Sequence, residues 1–218
     1  ASPRPRPGTL PAMAVVVEQV EPSQRDAIVG VLGDAFAEHP FVPKRGGDAR
    51  AKLMVRAMLD AFARADDYRV FGIRHGGQWA CMAFVFAYGY EPRGLTMATM
   101  LWRMVRIVGP RKMMRYGRVM SIKHDVDGRA LQLMILGTPG RYQRRGLGRA
   151  MMRHVCKYAD ERGYSAVTLE VAKHTPAFGF YDSEGFEVEQ EVELPEMPLC
   201  FMRKRLVSDR ERVSSPAA

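Results

Sequence analysis

Residues Gly137 to Tyr164 read GTPGRYQRRGLGRAMMRHVCKYADERGY. The stretch leaves an apolar strand, crosses a loop of glycines and arginines, and enters a strongly patterned helix. Leu147, Ala150, Met151, His154, Val155, Tyr158 and Ala159 fall on one stripe at helical spacing, and Arg149, Arg153, Lys157, Asp160 and Glu161 lie on the polar side. Gly163 stops the helix. The first N–H groups of a helix have no intrahelical acceptors, and the aligned peptide dipoles add partial positive charge there. Gly146 and Gly148 carry no Cβ, so a pyrophosphate can approach the backbone closely, with Arg144, Arg145 and Arg149 as mobile charge at the rim. Three readings stay open from these residues alone: a phosphate cradle, a nucleic-acid patch, or a loop and helix with a solvated basic face.

Two common phosphate motifs fail here. A Walker loop ends in Gly-Lys-Ser/Thr, whereas this loop reads Gly-Leu-Gly-Arg-Ala. A dinucleotide fingerprint needs a third small residue where Met151 stands, and an acidic residue at the end of the following strand.

Working outward, the pattern predicts a mixed α/β domain. Val15–Val20 reads as a β-branched strand, and a helix capped by Ser23 runs to about His39, where HPFVP stops it. A second helix spans roughly Asp48 to Ala65, with Leu53, Met54, Ala57, Met58, Ala61 and Phe62 on one face. YRVFGIR and WACMAFVFAY flank HGGQ as a hairpin. Leu95 to Met120 is rich in methionine and basic residues, and Gly109-Pro110 divides it into two short helices. LQLMIL and SAVTLEVA read as strands on either side of the opening stretch, and Pro176 to Ser183 as a short helix. Phe186, Val188, Val192 and Leu194 alternate with Glu187, Glu189, Glu191 and Glu193 in a further strand, and LCFMRKRL is the last. Residues 1–13 and 207–218 read as disordered tails around a single domain spanning 14–206.

A chain of 218 residues, 47% hydrophobic, suits one domain with a real core. Its formal charge of +9 favours an anionic partner without choosing among nucleic acid, membrane and a phosphorylated small molecule. Cys81, Cys156 and Cys200 are isolated, which argues against a disulfide framework or a metal site and for a reducing compartment. No apolar run approaches a membrane span and nothing at the start reads as a signal peptide, so the expectation is a cytoplasmic protein without a membrane partner.

Gln143-Arg144-Arg145-Gly146-Leu147-Gly148 resembles the Q/R-x-x-G-x-G/A signature of the GNAT superfamily of N-acetyltransferases, and AFGFYDSEGFEV downstream resembles that family's A-x-x-F-Y-x-x-x-G-F segment. A lone glycine motif would be weak; the pair, in order and joined by a helix and a strand, is strong. The resemblance is clear from about Leu131 to Leu206. The double-helix insert and the ending VELPEMPLCFMRKRL are similar to the puromycin acetyltransferase-like branch.

The resemblance implies an α/β fold, a single GNAT domain whose mixed, mostly antiparallel sheet is flanked by helices and splays at the central strand to admit acetyl-CoA. It implies that Leu136, Gly137 and Thr138 pair with the pantetheine arm and hold the thioester carbonyl. It further implies that Gln143, Arg144, Arg145, Gly146, Leu147, Gly148 and Arg149 wrap the pyrophosphate, and that His174 stands where an asparagine contacts the CoA arm. This chain departs from the pattern at Pro139-Gly140, in place of the common x-Pro order, and at Arg144, in place of a frequent glycine. Arg144 reaches either the phosphates or water.

Tyr181 matches the tyrosine that protonates the departing thiolate. When an amine attacks a thioester, sulfur leaves more easily if a proton awaits it. The bland alternative is a packed ring with its hydroxyl on backbone. Glu170 is the best candidate for the base that deprotonates the amine, against the alternatives of a salt bridge or simple solvation; His124 and Asp125 are second choices. The methionines of the insert either pack in the core or line an acceptor pocket with Trp102.

The implied activity is acetyl transfer from acetyl-CoA to a primary amine of a small molecule, with a protein or peptide acceptor, or a non-catalytic CoA-binding domain, as alternatives. Basic and aromatic residues do not recur along a strand surface, so no specific nucleic-acid partner is expected. The chain is expected to be a monomer or homodimer.

Overall fold

The computed structural model describes residues 15–114, 126, 128–193 and 198–206. The expected tails and the second-choice residues His124 and Asp125 lie outside the described residues. In chain order the elements are β1 (Val17–Gln19), α1 (Arg25–Phe36), α2 (Gly47–Phe62), β2 (Arg69–His75), β3 (Gln78–Ala87), α3 (Gly94–Val108), β4 (Ala130–Gly137), α4 (Leu147–Glu161), β5 (Ala166–Ala172), α5 (Pro176–Ser183), β6 (Glu187–Val192) and β7 (Leu199–Arg205). One seven-stranded sheet runs β1-β2-β3-β4-β5-β7-β6. Every neighbouring pair is antiparallel except β4 and β5, which are parallel.

Two apolar layers cover the sheet. On one side α1, α2 and α3 press Leu32, Met54, Val55 and Met104 onto Met82, Phe84, Phe86 and Ile135. On the other, α4 and α5 press Met151, Met152, Val155 and Tyr181 onto Cys81, Val85, Leu133 and Leu169. The alternation along β3 is the cause: Met82, Phe84 and Phe86 face one layer, and Cys81, Ala83 and Val85 the other.

Several local expectations are corrected. Ser23 makes no cap; Pro22–Gln24 form a 3-10 turn ahead of α1, and α1 starts without a side-chain cap. Leu53 is 54% exposed, because α2 turns Met54, Ala57, Ala61 and Phe62 inward instead. In α3, Met100 and Met104 are core residues, whereas Trp102 is 60% exposed among the described residues. The apolar face expected from Phe186 to Leu194 holds at Phe186, which is buried, but β6 is the edge strand, a bulge between Val188 and Gln190 shifts its register and Val188 is 45% exposed; Leu194 lies outside the described residues.

Candidate active site

β4 and β5 pair from Ala130 opposite Ala166 to Leu133 opposite Leu169, and then part. β4 continues beside β3 as far as Gly137, and β5 continues beside β7 as far as Ala172. The parting has a local cause. Phe84 faces Ile135 while Val85 faces Leu133, so Met134 is an extra residue that bends β4 away from β5. The result is a wedge whose two edges carry backbone polar groups in need of partners. At its base the Thr168 hydroxyl donates to the Gln132 side-chain carbonyl across 2.7 Å, both residues being buried.

The loop from β4 to α4 closes on itself. The Tyr142 N–H donates to the Pro139 carbonyl at 2.8 Å, and the Gln143 side-chain amide donates to the Thr138 carbonyl at 3.0 Å. Arg144 and Gly146 both take left-handed backbone, at φ +58° and +76°. Gly146 is the N-cap of α4 and no side chain caps the helix. The first intrahelical bond runs from the Ala150 N–H to the Gly146 carbonyl, which leaves the N–H groups of Leu147, Gly148 and Arg149 pointing out of the helix end. Leu147 is buried and anchors that end. A Cβ on Gly148 would sit 3.5 Å from the Phe180 ring.

Two of the three arginines have protein partners, contrary to their reading as mobile charge. Arg149 Nε donates to Glu184 Oε1 at 2.7 Å, joining α4 to the end of α5, and Arg145 Nη1 lies 3.0 Å from His75 Nε2. Arg144 is exposed. Gly137 also has a structural duty: a Cβ there would lie 2.9 Å from Ala35 Cβ and 3.0 Å from Leu32 Cδ2, so its bareness lets α1 pack against β4.

Across the wedge, Thr175 caps α5 by accepting from the Phe178 N–H, and its own hydroxyl donates to the Ala172 carbonyl at 2.7 Å. His174 just before it is exposed and left-handed at φ +65°, a conformation asparagine adopts readily. The Tyr181 ring is 8% exposed and packs between Phe180 and Phe186, with centroids 5.2 and 5.7 Å away. Its hydroxyl makes no hydrogen bond to another described residue, so the reading of a phenol tied to backbone does not hold. Burial raises the phenol well above its ordinary value and the nearby Cys81 adds to the effect, leaving a neutral O–H donor. Cys81 precedes Met82, which pairs with Gly137, so it stands across from Thr138; burial pushes the thiol up to about 11, offset in part by the nearby Thr138 side chain. Nothing in the spacing of Cys81 marks it as part of this corner; only the register of β3 on β4 does.

Glu170 lies on the other edge of the wedge, opposite Phe201 of β7. It keeps contact with solvent but is crowded by protein, and this desolvation raises its carboxyl above the usual range. Beside it, Phe41 of the α1–α2 loop packs on Ala172 and Leu199. His39 in the same loop stacks on Phe36 at 4.2 Å and accepts the Phe41 N–H on Nδ1 at 3.2 Å; burial lowers its pKa to about 4. The sequence pattern gave this loop only as a helix stop.

A model of the acetyltransferase (GNAT) family matches residues 48–186. The chain belongs to the acetyltransferase (GNAT) family. GNAT enzymes are acyl-CoA N-acyltransferases that use acetyl-CoA, and the present corner of the fold suits it: a helix N-terminus without a cap for an anion, beside an unpaired strand edge. Solved structures similar to this GNAT chain include a histone acetyltransferase HPA2 and related acetyltransferase from Corynebacterium glutamicum, with 21% identity, a TM-score of 0.63, and coverage of 88% of this chain and 96% of that one. Arylalkylamine N-acetyltransferase 2 from Aedes aegypti matches at 14% identity and TM-score 0.60, over 88% and 99% of the two chains. A paia N-acetyltransferase from Thermoplasma acidophilum, in complex with coenzyme A, matches at 11% and 0.56, over 89% and 100%. At these identities the likeness concerns the GNAT fold. Among curated proteins no match reaches significance.

Proposed function

We propose that this GNAT enzyme acetylates a primary amine of a small molecule by direct attack on the thioester, with Tyr181 as the proton donor. The observation that carries the reading is the Tyr181 hydroxyl: a neutral donor without a hydrogen-bond partner among the described residues, on an otherwise buried ring beside the parted strands. Bound in the wedge, acetyl-CoA supplies the activated acyl group. The backbone of Leu136, Gly137 and Thr138 would pair with its pantetheine arm. Gln143, Arg144, Arg145, Gly146, Leu147, Gly148 and Arg149 would hold its pyrophosphate, chiefly through the N–H groups of Leu147, Gly148 and Arg149, with His174 at the arm's other side. Tyr181 then keeps a proton ready for the departing sulfur, and Glu170, whose carboxyl desolvation makes more basic than an ordinary glutamate, accepts the proton of the amine.

A small acceptor is favoured because Phe41 of the α1–α2 loop packs on Ala172 and Leu199 and so covers the end of β5. Similar folds include the arylalkylamine enzyme and a polyamine N-acetyltransferase from Drosophila melanogaster. A fold of the same kind also serves a ribosomal-protein-S18-alanine N-acetyltransferase from Escherichia coli, so peptides belong in the test. The experiment is CoA release, followed with a thiol reagent, across arylalkylamines, polyamines and peptides with free N-termini. Turnover with a small amine is expected; turnover restricted to peptides rejects the acceptor class. A Gly148→Trp chain that binds acetyl-CoA unchanged rejects the cofactor site.

A further inference from the structure

Residues 92–124 contain eight of the 33 Lys and Arg of the chain and none of its 24 Asp and Glu. Eight of the nine net positive charges therefore belong to this one segment, and the remainder of the chain is close to neutral. Its described part, through residue 114, includes α3 and the helical residues that follow Gly109.

α3 is apolar on two sides and buried on one. Met100, Met104, Ile107 and Val108 enter the core beside α2. The outer side shows Leu95 at 83%, Leu101 at 39% and Trp102 at 60% exposure, with exposed Ala98 between them at helical spacing, and Met114 continues the apolar surface beyond the break. Exposed Arg93, Arg106 and Arg111 border the stripe, and the Arg106 guanidinium lies 5.0 Å from the Trp102 ring centre. Arg103, by contrast, is neutralised by Asp60 at 2.7 Å. An apolar stripe with a tryptophan and a rim of arginine is the composition of helices that lie in a lipid headgroup boundary.

We propose that the outer face of α3 docks on an anionic lipid surface, with Leu95, Leu101 and Trp102 entering the headgroup boundary and Arg93, Arg106 and Arg111 meeting lipid phosphates. Charge selects this occupant. A second copy would bring the same arginines together, at an electrostatic cost. A nucleic acid would answer the charge and leave Leu95, Leu101 and Trp102 in water. The sequence expectation of no membrane partner rested on span length, and a helix lying on a surface needs no span; among the described residues none is long and apolar enough to cross. The proposal is independent of the acceptor and of Tyr181.

The chain has two tryptophans, so Trp79→Phe leaves Trp102 as the only reporter. Full-length protein is mixed with vesicles of phosphatidylcholine alone or with about 30% phosphatidylglycerol. Trp102 emission is expected to shift to the blue and be quenched by brominated acyl chains with the anionic vesicles only, and to recover near 0.5 M salt, where the Debye length falls to roughly 4 Å. In the unaltered background, co-sedimentation with anionic vesicles should fall roughly tenfold in Trp102→Ser and in Leu95→Ser. The thermal shift given by acetyl-CoA serves as the folding control for both variants. Absence of co-sedimentation by the unaltered chain overturns the proposal, as does co-sedimentation that survives both substitutions, which would be adsorption by charge alone. A dimer that Trp102→Ser dissociates, or retention of an acidic protein or RNA, without vesicle binding, overturns it in favour of that occupant.

Discussion

The side-chain amide of Gln143 donates to the backbone carbonyl of Thr138, 3.0 Å away, and so ties the start of the β4–α4 loop to its middle. The bond holds together the last residue beside the wedge and the first residue of the glycine loop. Its partners are exposed, so it contributes little to global stability but fixes the loop before a ligand arrives. Gln143→Ala is therefore expected to leave Tm within about 2 °C while weakening acetyl-CoA binding roughly threefold to tenfold, one ordinary hydrogen bond of preorganisation. Calorimetry on both chains checks it; equal affinities would show that the loop needs no such tie.

Arg144 occupies left-handed backbone at φ +58°, where a residue with a Cβ is strained by about 1 kcal/mol or more relative to glycine. The departure from the family's glycine thus keeps the glycine's conformation. Arg144→Gly should be more stable than Arg144→Ala by about 1 kcal/mol and melt higher, since both lose the guanidinium and only one sheds the strain. If the guanidinium also serves the phosphates, both variants lose acetyl-CoA affinity equally, and binding measured against salt reads that separately. Equal melting of the two variants would contradict the strain.

Tyr181→Phe removes the hydroxyl and keeps the ring between Phe180 and Phe186. Turnover is expected to fall by about 100-fold or more, with acetyl-CoA affinity nearly unchanged. Because burial raises the phenol's pKa, it stays protonated through the neutral range and produces no rate loss there as pH rises. As the proposed base, Glu170 would govern the other limb. Its raised pKa means the carboxylate is lost, and the rate falls, at a higher pH than for an ordinary glutamate as the solution is acidified. Glu170→Gln should lower the rate and flatten that acid limb; an unaltered limb assigns it to another group.

The local geometry of this candidate site was legible in the sequence, and its long-range packing was not. Gln143 to Gly148 and the stretch around Tyr181 could be read because a helix N-terminus, its loop and a short helix are each set by consecutive residues. Gly137 was read as cofactor backbone, while its missing Cβ serves α1 through Leu32 and Ala35, which lie about a hundred residues earlier in the chain. Cys81 joins Thr138 only through the register of β3 on β4, and the wedge itself depends on one extra residue at Met134. An alternating pattern carries no record of such a bulge. The same limit explains β6, where alternation put Val188 and Val192 on one face and a bulge between Val188 and Gln190 shifts the register.

His39 links the α1–α2 loop to acid stability. Burial against Phe36 lowers its pKa from 6.5 to about 4, and its Nδ1 accepts the Phe41 N–H. The folded chain therefore binds fewer protons than the unfolded chain between those values, so stability declines as pH falls from about 6.5 to about 4 and is unaffected by this group above. Discounting for partial exposure, the loss is on the order of 1 to 2 kcal/mol, a few degrees in Tm. His39→Gln keeps an acceptor for the Phe41 N–H and cannot take up the proton. The Tm of the unaltered chain should fall more steeply than that of His39→Gln across this window and run parallel to it at pH 7 and above. Parallel curves throughout would mean that the imidazole is already free to protonate, and that the loop beside Glu170 is open where the stack on Phe36 holds it closed.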